Sequence, residues 1–268
     1  AKDLLSMAEL GSEQVAYLLE TASSMKRKGS GPQLAGKVLA LLFEKPSLRT
    51  RVSFEVAMYQ LGGYVLSLDQ AEVGLGKREA VSDVARVLSR YVQGIMVRTF
   101  DQQTVRAMAE YASVPVINGL TDEEHPCQAL SDLLTIYERG GHLRGLSLAY
   151  VGDANNVATS LLFACALTGM EFRIASPPGY GFKPSVLEQA RRLAGPVGAS
   201  IRLDDNPRSV VGGADVVYTD VWISMGQEAE SQARRRAFQG YQVTPELLAL
   251  AGPQAAFMHP LPAHYGEE

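Results

Sequence analysis

Phe43-Glu44-Lys45-Pro46-Ser47-Leu48-Arg49-Thr50-Arg51 joins two different patterns. Before it lies an apolar run of strand length, Val38 to Leu42, and after it a helical repeat through Val52, Val56 and Tyr59, with Phe54, Met58 and Leu61 one position over. It reads as a strand-to-helix turn. Pro46 and Ser47 suit the last loop position and the N-cap, so the first helical turn offers backbone N–H groups, a positive dipole end, two hydroxyls and two guanidiniums. Such a combination holds a phosphate. Alone, the same residues also make an ordinary capped helix with solvated arginines.

Working outward, the alternation of strands and helices continues in both directions. Upstream, Ser12 as N-cap opens a helix through Val15, Leu19 and Met25 that ends at Lys28-Gly29. Downstream come a strand from Tyr64 to Leu68, a glycine-rich loop over 72–78, a helix carrying Val81, Val84 and Leu88, and a strand from Gly94 to Val97 with Arg98 at its end. A helix from Asp101 and a strand from Val114 to Ile117 follow, then a loop from Asn118 to Glu124. His125-Pro126-Cys127-Gln128 opens the next helix, with Pro126 at its first position. His125 thus falls at the N-cap, where the dipole disfavours imidazolium, and Gln128 presents an amide in the same direction. That helix ends at Gly140-Gly141, read as a hinge region.

The second half repeats the scheme. A strand from Leu146 to Val151 leads into the turn Gly152-Asp153-Ala154-Asn155-Asn156, which lacks the second and third glycines of a dinucleotide fingerprint, so a nicotinamide cofactor is disfavoured. Strands at 172–175, 201–203 and 215–219 follow, with Asp204-Asp205 as a possible cap and Asp220 at a carboxyl end beside Ser224. The last strand, Ala255 to Met258, runs into His259-Pro260-Leu261-Pro262, whose two prolines imply an extended backbone with free carbonyls. The fold class is α/β: two doubly wound domains, 1–135 and 136–268, each with a central mainly parallel sheet flanked by helices and with the active site in the interdomain cleft. The turns at strand ends then gather anion binders in the first domain and a carboxylate, a hydroxyl and an amide in the second. They imply a phosphorylated substrate and an amine-bearing one.

Composition narrows the setting. Charged residues are 20% of the chain, the formal net charge is −4, and no basic run exceeds the three residues of Arg234-Arg235-Arg236, which argues against a nucleic-acid partner. No apolar run reaches the roughly eighteen residues of a membrane span, and Ala1-Lys2-Asp3 opens no signal peptide. Two cysteines, Cys127 and Cys165, make no disulfide framework, and a cytoplasmic location is expected.

Four ordered motifs carry a family resemblance across nearly the whole chain. Ser-Leu-Arg-Thr-Arg at 47–51, His-Pro-Cys-Gln at 125–128, Asp-Val-Trp-Ile-Ser-Met-Gly at 220–226 and His-Pro-Leu-Pro at 259–262 resemble the transcarbamylase family. The Ser-Met-Gly element and the run at 237–243 are similar to its ornithine-using branch. The resemblance implies a first domain for carbamoyl phosphate and a second for ornithine, with no cofactor and no metal. It assigns Ser47, Leu48, Arg49 and Thr50 to the phosphate, Arg98, His125 and Thr50 to the carbonyl oxygen, and Gln128 with Pro260 and Leu261 to the carbamoyl NH2. Asn156, Asp220, Ser224 and Met225 match positions that hold ornithine, and Arg98, His125 and Asp220 are the implied catalytic residues. The resemblance further implies citrulline and phosphate as products, a role in arginine biosynthesis or its reverse, and a homotrimer.

The chain departs from the family pattern in three places. Pro260 stands where ornithine enzymes carry cysteine, a proline shared with the aspartate enzymes; Gly74 stands where a neighbouring subunit's side chain is drawn from; and relatives continue past Glu268 into a helix carrying a further phosphate-binding arginine. Three alternatives stay open on sequence: a transcarbamylase for putrescine, acetylornithine or aspartate, a non-catalytic anion- and amino-acid-binding protein, and, more remotely, a dehydrogenase.

Overall fold

A computed structural model describes residues 2–268, which divide into two compact units, one ending at Leu134 and the other running from Thr135 to Glu268. In the first unit the strands are β1 (Val38–Phe43), β2 (Tyr64–Asp69), β3 (Gly94–Arg98) and β4 (Val116–Leu120), hydrogen-bonded in the order β2-β1-β3-β4 and all parallel. The helices are α1 (Ser12–Lys28), α2 (Leu48–Gln60), α3 (Gln70–Val73), α4 (Val81–Leu88), α5 (Gln102–Tyr111) and α6 (Pro126–Gly140), the last continuing past the unit's end.

The sheet is apolar on both sides because each face is covered. Alternate residues of β1 point to opposite faces. Ala40 and Leu42 pack with Val84, Ala85, Val105 and Met108 of α4 and α5, while Leu39 and Leu41 pack with Met58 and Phe54 of α2. All the strands being parallel, their carboxyl ends share one edge, and the turn at 44–47 lies on it.

The second unit has a five-stranded parallel sheet in the order β7-β6-β5-β8-β9, built from β5 (Ser147–Val151), β6 (Glu171–Ala175), β7 (Ser200–Asp204), β8 (Val216–Thr219) and β9 (Ala256–Met258). Its helices are α7 (Asn156–Thr168), α8 (Pro184–Ala194), α9 (Pro207–Val211), α10 (Ser231–Ala237) and α11 (Pro245–Leu248). Every residue of α7 from Val157 to Leu167 is buried, the condition of a helix apolar on all sides. On one sheet face Ala149, Val151 and Val217 pack with Val210, Trp222, Phe238 and Tyr241.

Several boundaries differ from the sequence reading. Residues 118–120, expected in a loop, complete β4, and the strand starts only after Pro115, which has no N–H to give a ladder. The buried Asn118 is accommodated because its amide donates to the Leu5 carbonyl at 2.9 Å, and its own N–H donates to the Leu4 carbonyl at 2.7 Å. Gly119 fits the packing: a Cβ there would lie 2.3 Å from Met96 Sδ, so the buried Met96 side chain would have to shift. The α1 N-cap is Gly11 rather than Ser12, its N–H donating to Gln14 Oε1 at 2.8 Å. The cap of α9 is Asn206 rather than Asp204 or Asp205; Asp204 instead accepts from the Asn206 N–H at 3.1 Å.

Candidate functional site

In the first unit the turn after β1 forms a capped cradle. Ser47 has extended backbone, φ −159°, and its Oγ accepts from the Thr50 N–H at 3.3 Å, capping α2. Of the N–H groups that open a helix without intrahelical acceptors, those of Leu48 and Arg49 remain at the positive dipole end. The side chains of Leu48 and Arg49 are exposed, while Ser47 and Thr50 are half-buried. Behind them Lys45 is buried, ion-paired with Asp122 and 4.4 Å from the Phe100 ring centroid, and Glu44 accepts a hydrogen bond from Thr99.

Arg98 ends β3 beside this turn, its register partner being Phe43. Its carbonyl accepts from the Glu44 N–H at 2.9 Å, and its Nη1 donates to Thr50 Oγ1 at 3.1 Å. Burial, and then the charge of Arg49, push its pKa down to about 10, so it stays cationic at neutral pH. Its buried Nε has no acceptor among the described residues. A guanidinium with an N–H left unanswered beside a helix N-terminus is an arrangement that an oxyanion satisfies.

His125 directly precedes α6, and its carbonyl accepts from the Gln128 and Ala129 N–H groups at 3.1 and 3.2 Å. Its pKa is lowered to about 3, by burial first and by the Arg98 charge second. The ring is neutral, as the sequence implied, though burial and Arg98 are the causes rather than the dipole. Gln128 does not face as expected: its amide donates to Asp132 Oδ1, one turn along the helix, at 3.0 Å. Burial pushes the Cys127 thiol up to about 12, which disfavours the thiolate at neutral pH.

In the second unit Asp220 follows β8 and is buried. Its Oδ2 accepts from Asn155 Nδ2 at 2.8 Å and its Oδ1 from the Val221 N–H at 2.8 Å. Burial pushes its pKa up to about 6, against the pull of these two donors and of His259. It is ionised at neutral pH, with ionisation held near the working range. Ser224 lies in the loop beyond, where its N–H donates to Gln227 Oε1 at 3.0 Å, and Met225 is half exposed. Asn156 begins α7, its Oδ1 accepting from the Val157 N–H at 2.9 Å.

Sequence reasoning passed over Asn155. Its Oδ1 caps α7 by accepting from Val157 and Ala158, both at 3.0 Å, while its amide holds Asp220. Of two adjacent asparagines the one just before a helix is the cap, which was the available signal. The same bond occupies the helix N–H groups that hold a pyrophosphate in dinucleotide-binding turns. Also missed was the buried pair Arg234–Asp153, 2.7 Å apart, with Arg234 Nη1 also donating to the Trp222 carbonyl at 3.1 Å. It ties the loop before Ser224 to the turn before Asn155.

The His259-Pro260-Leu261-Pro262 backbone is not extended as expected. Leu261 is left-handed, φ 57°, and the Leu261–Pro262 peptide is cis. The reason is local: the Leu261 N–H donates back to His259 Nδ1 at 2.9 Å, which curls the chain. Pro260 and Leu261, matched above to carbamoyl binding, belong to the second unit, the other carbamoyl phosphate positions to the first. As for metal ligands, donor atoms of His264, Glu267 and Glu268 lie within 4.8 Å of one another, but Glu267 is paired with Arg235 and Glu268 with His259.

Residues 2–138 match "Aspartate/ornithine carbamoyltransferase, carbamoyl-P binding domain", and residues 144–268 match "Aspartate/ornithine carbamoyltransferase, Asp/Orn binding domain". The chain belongs to the aspartate/ornithine carbamoyltransferase family. Among members of that family, the ornithine carbamoyltransferase of Anoxybacillus flavithermus is 51% identical over 271 residues, spanning 100% of this chain and 86% of the relative. That of Thermus thermophilus is likewise 51% identical, over 268 residues, with 100% and 86% covered. The solved ornithine carbamoyltransferase of Pyrococcus furiosus superposes with a TM-score of 0.95 at 47% identity, covering 99% of this chain and 86% of the other. The anabolic enzyme of Campylobacter jejuni gives 0.96 at 36% identity, covering 100% and 88%. The two parallel sheets flanked by helices are therefore the family's architecture.

Proposed function

We propose that this chain transfers the carbamoyl group of carbamoyl phosphate to the δ-amine of L-ornithine, giving L-citrulline and phosphate. The observation that carries the proposal is Arg98, tied to Thr50 beside a Ser47-capped helix, with Nε still open, in a chain whose relatives of about half-identical sequence are named for this activity. In this reading Ser47, Leu48, Arg49 and Thr50 hold the phosphate, and Arg98 with His125 donates to the carbonyl oxygen. Gln128, turned away from Asp132, and the Leu261 carbonyl take the NH2. Asp220 and Ser224 receive an ammonium group of ornithine, and Asn156 its carboxylate, with Met225 alongside.

The chemistry follows from those roles. The neutral δ-amine attacks the carbamoyl carbon, and the carbonyl electrons move onto an oxygen that faces Arg98 and His125. When they return, the carbon–oxygen bond to phosphate breaks and the pair leaves with the phosphate, whose charge the arginines and the α2 N-terminus stabilise. The nitrogen then sheds its proton. His125 serves as a neutral donor, since a ring with a pKa of about 3 carries no charge to lose.

We further infer a cytoplasmic homotrimer acting in arginine biosynthesis. Leu48, Val52, Val56 and Tyr59 form an exposed apolar stripe on α2 at helical spacing, beside exposed Tyr64 and Leu66 on the edge strand β2, a surface suited to another copy of the chain. Both cysteines are free and no described helix is long and apolar enough to cross a membrane. The deciding experiment is carbamoyl transfer to a panel of ornithine, putrescine, acetylornithine and aspartate. Citrulline as the dominant product supports the proposal; faster turnover of another amine, or binding of carbamoyl phosphate with no turnover, overturns it.

A further inference from the structure

Leu261 is the one non-glycine residue with positive φ among those described, and its carbonyl accepts no hydrogen bond from them. A left-handed leucine persists only where its surroundings over-determine it. Pro260 and Pro262 have no N–H, so across 260–262 the Leu261 N–H is the only backbone donor, and His259 Nδ1 takes it at 2.9 Å. An Nδ1 that accepts carries no hydrogen, which puts the ring hydrogen on Nε2. That nitrogen lies 3.2 Å from Glu268 Oε1, and the two side chains are only 8% and 2% exposed. The imidazole is thus held at both ends, one by a buried carboxylate and one by the backbone it clamps.

We propose that His259 is a positioning residue for carbamoyl recognition: through Nδ1 it fixes the left-handed turn at Leu261, so that the Leu261 carbonyl is presented unpaired to the substrate NH2. The inference rests on the carbamoyl phosphate reading above and deepens it, since it makes a side chain that touches no substrate responsible for telling an amide from its methyl analogue. Glu268 sets the tautomer, and the two prolines ensure that no other backbone donor competes for the ring.

The test compares carbamoyl phosphate with acetyl phosphate, which keeps the phosphate and the carbonyl but replaces NH2 by CH3. Asparagine at 259 retains an acceptor where Nδ1 stood and can take the N–H two residues on, as in an Asx-turn, whereas glutamine replaces only the Nε2 side. In the full chain, His259→Gln is expected to weaken carbamoyl phosphate binding roughly 10-fold, the loss of about one hydrogen bond, and to leave acetyl phosphate within about 2-fold. His259→Asn should restore most of the preference. Glu268→Ala, which frees the other end of the ring, should act in the same direction as His259→Gln and serves if that variant does not fold. Equal weakening of both ligands, or His259→Asn no better than His259→Gln, overturns the proposal. If the unsubstituted chain neither prefers carbamoyl phosphate nor makes citrulline, the carbamoyltransferase reading fails instead, and the proposal with it.

Discussion

Replacing Arg234 by methionine tests whether the second unit's loops are held by one buried charge pair. Arg234 is 7% exposed and makes four contacts of unequal worth. Its Nε bond to Glu230, whose side chain is 64% exposed, is a surface pair contributing about 0–1 kcal/mol. The Tyr180 ring, 5.1 Å away, and the Trp222 carbonyl add modestly. The pair with Asp153, side chains 8% and 11% exposed, dominates: removing one partner of such a pair costs about 3–5 kcal/mol because the other charge stays buried. In a unit of this size that lowers its melting temperature by roughly 10–18 °C. Burial already holds the Asp153 carboxyl above its usual range despite Arg234. Without Arg234 its folded-state pKa rises further, so the deficit is fully present at high pH and shrinks as pH falls through that raised value. Arg234→Met combined with Asp153→Asn removes both charges and should recover more than half of the loss. Thermal melts of the three variants at several pH values make the measurement, with the ornithine KM followed in parallel. A double variant no more stable than Arg234→Met, or a deficit unchanged down to pH 4, would refute the assignment of the energy to the charge pair.

Other expectations follow from the same geometry. Arg98→Met should reduce citrulline formation about 100- to 1000-fold, as for one lost oxyanion donor, with little change in melting temperature; an equal loss of both would make Arg98 structural. Asp220, pushed up to about 6, takes up its proton as pH falls through that value, so ornithine affinity should weaken below about pH 6. The same raised pKa means that its contribution to stability diminishes as pH rises from about 4 to 6; ornithine binding by calorimetry that stays flat from pH 7 to 5 would contradict the expected loss of affinity. Gly119→Ala should cost about 1–3 kcal/mol of stability, read by urea unfolding, since its Cβ would meet Met96 Sδ at 2.3 Å. Tyr59→Asp puts a charge on the exposed stripe of α2 and should lower the mass seen by light scattering; an unchanged mass would exclude this face from assembly.

Much of the fold was legible because its signals are local. Apolar runs such as Val38 to Leu42 and caps such as Ser47 need only neighbouring residues to be read, and so does the location of Arg98 and Asp220 at strand ends. What stayed hidden depends on residues distant in sequence. Asn155 meets Asp220 across 65 positions and Arg234 meets Asp153 across 81, and no window of periodicity spans such distances. The extension of β4 through Asn118 was obscured for the same reason, since a buried asparagine looks like a loop residue until Leu5 is seen to bond it. Leu261 was misread differently: the flanking prolines pointed to extended backbone, and the His259 acceptor two residues back outweighed them.

The edge of the first sheet has a consequence for how the chain is made. The outer side of β4 is closed by Asp3, Leu4 and Leu5: Leu4 bridges Ile117 in parallel, its N–H donates to the Val116 carbonyl at 2.9 Å, and Asp3 accepts from the Val116 N–H at 2.8 Å. These partners are separated by 113 positions, about 10 s of synthesis at typical elongation rates. Throughout that interval the segment has no strand to lie on, and once β4 emerges its edge is open until the segment arrives. A strip of three residues is thereby the last stitch in its sheet, and it seals the side on which two nascent chains would otherwise pair.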